Sequence, residues 1–197
     1  FPSIVGITSL IFGIIMTSTD GNFFVAFILA TSLGMFAGLV NGLLVTKIGI
    51  PSIVATIGTL FFWRGLVNGI SQGSGIAIVD VADGTWHHMI FVEKLFGKIP
   101  MQFIWFIVLT GLMQWVYRYH KFGNHIHFVG DNKASAQMMG INVDNVKIIA
   151  FVQLGFFSAL AGIFTMYEML YFWPTQGEGL MLTTLAAVFV GGTSVFG

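Results

Sequence analysis

Arg64, Glu168 and Glu178 stand apart in a sequence that holds few charges. Arg64 is the one charged residue between Lys47 and Asp80, and Glu168 ends an uncharged stretch that begins after Lys147. Ionisable groups within apolar segments are costly, and they turn toward protein or a water-filled cavity. Arg64, with Trp63 beside it, therefore has three readings. It snorkels to a headgroup layer, lines a pathway, or pairs with Glu168 or Glu178. Glu168 stands near Tyr167, Tyr171 and Trp173, which read as an interfacial aromatic belt. Aromatic faces beside amides also suit ligands with apolar C–H faces and many hydroxyls. The run Trp173-Pro-Thr-Gln-Gly-Glu-Gly179, with Gln176 and Glu178, is thus a candidate gate or docking loop.

Five further polar residues fall in apolar runs: Asn41, Thr56, Thr59, Asn68 and Gln153. Each reads first as an interhelical hydrogen bond and second as a ligand contact. The histidines offer His87-His88, His120 and His125-x-His127. A metal needs three or four converging ligands; with no cysteine and sparse acids nearby, no metal site is expected, and His87 and His88 read as solvated loop residues. The absence of cysteine also removes disulfides and thiol nucleophiles. The apolar runs hold neither a nucleophile–base pair nor an acid cluster, which argues against an enzyme. A net charge of zero gives no electrostatic case for nucleic acid.

The elements that must position these residues follow from composition. Charged residues are 8% of the chain and hydrophobic residues 56%, with mean hydropathy +0.89. A soluble domain carries about 25% charge, so this chain cannot build a soluble shell, and it reads as an integral membrane protein. A bilayer core takes about 20 helical residues. The uncharged runs place helices at about 3–18, 23–46, 53–70, 101–117 and 148–172, with a shorter piece at about 180–195. The predicted fold is an all-α, polytopic transmembrane helical bundle, with about five spans and a short or broken final helix. Gly34, Gly38 and Gly42 form a small-residue ridge on one helix face, suited to close packing or to lining a narrow path.

Orientation follows from the cations in alternate connections. Lys47, Arg118, Lys121, Lys133 and Lys147 fall in 46–52 and 118–147, whereas 19–22, 71–100 and 173–179 hold only Lys94 and Lys98. The bias puts 118–147 in the cytoplasm and 71–100 outside. Within 118–147, Gly123-Asn124 and Gly130-Asp131-Asn132 are turn signals. Asp131 or Asn132 caps a short helix over 133–139, which Gly140 ends. Ala134, Ala136, Met138 and Met139 give that helix apolar surface, for a cytoplasmic partner's groove or merely as a connector. In the last piece, Gly191-Gly192-Thr193-Ser194 reads either as a broken helix, of the kind found at transporter sites, or as a plain helix end.

Three phrases carry a family resemblance: GLVNGLLVTKIGIPSIVATIGTLFFWRGL (38–66), GNHIHFVGDNKASAQMMGINV (123–143) and LAAVFVGGTSVFG (185–197). Their order and spacing resemble bacterial ABC importer permeases of the ribose/xylose/arabinose type. Ser135 stands where the second alanine of an Ala-Ala pair is usual, and FPS opens the chain where the family has Val-Gly-Ser. The resemblance implies that residues 1–197 are one partial permease domain from the middle of a longer chain. It also implies a homo- or heterodimer of permeases, a cytoplasmic ABC ATPase that carries ATP and Mg, and an extracytoplasmic sugar-binding protein, all at the bacterial inner membrane. No cofactor is expected in this chain. The resemblance makes 118–147 the coupling loop, with Gly123, Asn124, Gly130, Asp131, Asn132, Ala134, Ser135, Ala136, Gly140, Ile141 and Asn142 at the ATPase. The substrate path would draw on Asn41, Thr56, Thr59, Trp63, Arg64, Asn68, Glu168, Trp173, Gln176, Glu178 and the Gly191–Ser194 phrase. A simple sugar of the monosaccharide class is the implied cargo; a nucleoside or branched-chain amino acid is the alternative, with a passive channel or intramembrane enzyme behind.

Overall fold

The computed structural model of the chain describes residues 1–95, 97 and 99–192. Its longer helices are α1 (Pro2–Ser18), α2 (Phe23–Leu43), α3 (Ser52–Ser71), α6 (Met101–Tyr119) and α9 (Val143–Met169). Shorter helices are α4 (Val79–Ala82), α5 (Trp86–Phe91), α7 (Lys121–Asp131), α8 (Lys133–Met138) and α10 (Leu180–Val190). Local chemistry sets their ends. Pro2, Pro51 and Pro100 sit at or just before helix starts, where a missing N–H costs nothing. Asn22 caps α2, accepting from Val25 N–H at 3.4 Å. A π-helical turn over Leu44–Ile48 extends α2, and Gly49 closes it at φ +80°. Two two-residue antiparallel ladders add to the helices: β1 (Ile76–Ala77) with β4 (Tyr171–Phe172), and β2 (Lys94–Leu95) with β3 (Ile99–Pro100).

The all-α expectation holds, and the helix positions agree to within a few residues. The expected start of α9 at 148 moves back to Val143, because Asn142 caps it there. Among the described residues, three helices are long and apolar enough to cross a membrane: Phe23–Ile48, Ser52–Ser71 and Val143–Met169. Pro2–Ser18 and Leu180–Val190 are apolar but shorter. Gln102, Gln114 and Arg118 dilute the apolar character of α6.

The glycine ridge of α2 packs rather than lining a path. A Cβ on Gly34 would stand 2.6 Å from the Gly155 carbonyl, and one on Gly42 would stand 3.0 Å from Ile148 Cα. The α2 and α9 backbones therefore approach in a way that side chains forbid. Helix α1 packs on α9, α2 and α3, and fills the core with Leu10, Phe12 and Met16. Lys47 and Asp144 meet at 3.7 Å at one end of the bundle. At the other end β1 pairs with β4, and Ile78 N–H donates to the Leu170 carbonyl at 2.9 Å. Lys47 and the start of α9 thus meet at one end, and the 76–78 segment meets the end of α9 and β4 at the other. Helix α6 lies on the outside of this core, touching it through Trp105 and Tyr117, and has no buried residue.

One expectation about that second end is corrected. His87 is 3% exposed rather than solvated. Its ring stacks on Phe23 with centroids 5.2 Å apart, and its Nδ1 lies 2.9 Å from both the Thr85 and Tyr167 hydroxyl oxygens. Burial, then the neighbouring His88, lowers its pKa from the ordinary value of 6.5.

Candidate functional site

The segment after β4 does not stay at the bundle end. It folds back beside α1, where Gln176 Nε2 donates to Ser9 Oγ at 3.1 Å and Ser9 Oγ donates to the Gly162 carbonyl at 2.9 Å. Gly162 stands about two turns before the end of α9, roughly 10 Å inward at 1.5 Å per residue. Non-helical backbone at that depth must find partners within the protein. Arg64 supplies them. Its Nη1 donates to the carbonyls of Pro174 at 3.0 Å and Gln176 at 3.2 Å, while Nη2 lies 3.4 Å from Glu178 Oε1. The Arg64 side chain is 15% exposed, so the ion-pair reading prevails over snorkelling, and Glu178 is the partner rather than Glu168.

Glycines make room for this return. A Cβ on Gly6 would sit 3.1 Å from the Gln176 carbonyl. Gly177 has φ +89°, and a Cβ there would meet the Pro2 carbonyl at 2.6 Å. Only glycine tolerates both demands at position 177. Gln176 is 1% exposed and Trp63 5%. Gln176 Oε1 and Trp63 Nε1 are buried without a hydrogen-bond partner. Trp173 is half-buried at the loop's start.

A second polar cluster lies toward the Lys47 end, between α1, α2, α3 and α9. Thr59 Oγ1 donates to Asn41 Oδ1 at 2.7 Å, and Asn41 Nδ2 donates to the Ala37 carbonyl at 3.2 Å. Thr56 joins them around a small cleft, with its hydroxyl on the Ser52 carbonyl at 2.8 Å. Asn68 and Glu168 are exposed and join neither group. Glu168 instead borders an open groove with Gln102 and Trp105. Gln153 meets Tyr117 Oη at 3.4 Å, which ties α9 to α6 as an interhelical contact. Gly191 and Gly192 end α10, with Gly192 at φ +82°. Thr193 and Ser194 lie outside the described residues.

The 118–147 connection contains two helices where a turn-rich loop with one helix is expected. Gly123-Asn124 is not a turn: both residues lie in α7. Gly123 is required because a Cβ there would collide with the Tyr117 backbone, so α7 folds tightly against the end of α6. Gly130 and Asp131 form the last turn of α7. Asn132 is the cap of α8, accepting from Ala134 N–H at 2.9 Å and Ser135 N–H at 3.1 Å. Gly140, at φ +79°, ends α8: its N–H donates to the Gln137 carbonyl at 2.9 Å, and Ile141 N–H donates to the Ala136 carbonyl at 3.0 Å. This is the Schellman pattern. Asn142 then caps α9 through Asn145 N–H at 3.0 Å. Ala136 is buried with Val129, Val143 and Val146, so it braces the corner and is not on its outer surface. Met138 (89% exposed) and Met139 provide that surface.

Sequence reasoning missed Ser9, Gly6 and α7. The spacing of Gly6, Ser9 and Gly13 marks a small-residue stripe on α1 that signals a close neighbour. The identity of that neighbour has no local signal.

The family model described as "Branched-chain amino acid transport system / permease component" matches residues 3–197. The autoinducer 2 import system permease protein LsrC of Photorhabdus luminescens is 34% identical over 202 residues, covering 99% of this chain and 57% of that protein. The protein of the same name from Yersinia pseudotuberculosis serotype O:3 (strain YPIII) is 36% identical over 169 residues, covering 85% of this chain and 46% of its own length. The chain thus spans about half the length of these curated relatives. No solved structure matches it.

Proposed function

Because the chain belongs to the branched-chain amino acid transport system / permease component family, we propose that it is membrane-spanning permease sequence of an ATP-driven importer in the bacterial cytoplasmic membrane. In this reading α1, α2, α3, α6 and α9 all cross the bilayer, α6 and α1 as the less apolar or shorter spans. The 118–147 connection is cytoplasmic, as the cation bias supports, and 71–100 is extracytoplasmic. The permease acts as a homo- or heterodimer with a second permease, a cytoplasmic ABC ATPase carrying ATP and Mg, and an extracytoplasmic binding protein. It makes and breaks no covalent bond.

The observation that carries this reading is the corner Asn132–Asn142. Two asparagine caps and a glycine terminator hold α8 rigidly against α7 and α9, with Met138 and Met139 turned outward. A rigid apolar knob suits a partner's groove. Closure of the ATPase dimer would move α8 as a body and pass the motion to α9, to which Asn142 and Val143 join it. The bundle then alternates between two packed states. The pinned loop 173–179 and the Asn41–Thr59 cluster are the candidate gate and path.

The cargo we propose is a simple sugar, on the strength of the three matched phrases. The relatives' names add autoinducer 2 as a ligand to test beside it, and the family description adds branched-chain amino acids. Uptake into proteoliposomes holding the full-length permease, its ATPase and its binding protein tests the proposal. ATP-dependent uptake of a sugar or of autoinducer 2 is expected, with loss in Gly140→Pro, since proline cannot adopt φ +79°. Failure to co-purify an ATPase, together with unchanged uptake in Gly140→Pro, overturns it.

A further inference from the structure

Between the last turns of α6 and the facing side of α7 lies a cleft of about 430 Å³, separate from the pinned loop and the capped corner. Gln114, Tyr117 and Arg118 line it from α6, and Ile126 and His127 from α7. No Asp or Glu occurs from Ile99 to Gly130, a stretch that contains Arg118, Lys121 and three histidines. The ion pairs among the described residues lie elsewhere. The lining of the cleft therefore carries positive charge and hydrogen-bond donors and no carboxylate; Asp131, at the end of α7 one turn beyond His127, is not part of the lining and makes no ion pair among the described residues.

We infer that this cleft holds the headgroup of an anionic phospholipid. Arg118 supplies a fixed charge that pairs with a phosphate oxygen, and His127 adds a ring N–H from the opposite wall. Trp115, Tyr117 and Tyr119 cluster at this end of α6, and these residue types mark headgroup depth. Away from the cleft, Phe103, Ile107, Gly111, Gln114 and Arg118 follow one another at three- and four-residue steps and so share one helix stripe. Phe103 and Ile107 are exposed, and Gly111 has open space around it. An acyl chain can follow that stripe while its headgroup sits in the cleft. A free phosphate ion would use the cations and leave the stripe idle. Basic pockets beside membrane helices are suited to anionic headgroups.

The inference rests on the proposed placement of α6 as a span. Native mass spectrometry of the full-length permease in detergent tests it, with phosphatidylglycerol or phosphatidylcholine added at equal concentration. The expected result is preferential retention of phosphatidylglycerol. That preference falls about five-fold in Arg118→Ala and further in the Arg118→Ala/His127→Ala pair, and it survives excess inorganic phosphate. Equal retention of the two lipids, or an unchanged preference in the double variant, overturns the headgroup site while leaving the span intact. Displacement by inorganic phosphate overturns it in favour of a free anion. Retention of neither lipid likewise overturns the headgroup site. Because no outcome is read from uptake, failure of the importer reading is seen separately.

Discussion

Arg64 Nη1 donates to the Gln176 carbonyl at 3.2 Å across 112 positions of chain, joining the middle of α3 to a non-helical segment inside the bundle. The same nitrogen holds the Pro174 carbonyl. Replacing Arg64 by Met leaves two part-buried carbonyls without their donor, at about 1 kcal/mol or more each. Glu178→Gln removes only a partner whose side chain is 58% exposed, an interaction worth about 1 kcal/mol or less. Thermal melting of the detergent-purified full-length permease should show a large loss for Arg64→Met and a small one for Glu178→Gln. Equal losses would mean that the carboxylate, not the backbone carbonyls, is what Arg64 serves.

The capped corner gives a prediction with its own control. Asn132→Ala removes the acceptor for two amides of α8 and should cost about 1 kcal/mol. Asn132→Asp keeps an acceptor and should keep the helix. Hydrogen exchange over 133–139 reads this directly: faster in the alanine variant, near wild type in the aspartate variant. Protection unchanged in Asn132→Ala would show that Ala136 and Ile141 hold α8 without the cap.

These two sites differ in how legible they were. Gly140 reads locally as the end of α8, because a C-terminal glycine acts within a few residues, whereas Asn142 does not read as a cap and α9 is expected only from 148. Asn132 was one of two capping candidates, and only the geometry chooses it over Asp131. Gly123 reads as a turn from sequence, but here the glycine serves close approach, and Tyr117, the residue it must admit, gives no sign in the sequence. The partners of Arg64 and the burial of His87 depend on contacts with distant segments, 174–178 in one case and Phe23 and Tyr167 in the other. Charge counting finds such residues but cannot say what they touch.

Helix contact between α2 and α9 predicts a contrast among glycines. Gly34→Val places a branched side chain against the Gly155 carbonyl and Ala159 Cβ, which stand 2.6 and 2.7 Å from the first added carbon. Neither can withdraw without parting the helices. Gly58 in α3 has nothing within 4 Å, so Gly58→Ala is tolerated and gains up to about 1 kcal/mol of helix propensity. Size-exclusion chromatography of the solubilised full-length protein should show a loss of monodisperse material for Gly34→Val and none for Gly58→Ala. A monodisperse Gly34→Val protein would sink the close-contact account.

His87 makes the packing of the 79–91 segment pH-dependent. Its folded pKa lies below 6.5 because burial among Phe23, Trp86 and Tyr167 penalises the charged ring, and His88 adds repulsion. In the unfolded or undocked segment the ring titrates near 6.5. Between the two values the undocked form binds more protons, so docking is favoured above about pH 6.5 and weakens as pH falls through that window toward the lower folded value. Asp83, 4.0 Å from His88, is the nearby carboxylate and belongs to the same segment. Amide exchange over 85–91 should therefore accelerate as pH is lowered from about 7 to about 5, after correction for intrinsic exchange. His87→Gln keeps polar atoms without the titration, and should abolish that dependence even if it loosens the segment at every pH. A slope that persists in His87→Gln would sink the account.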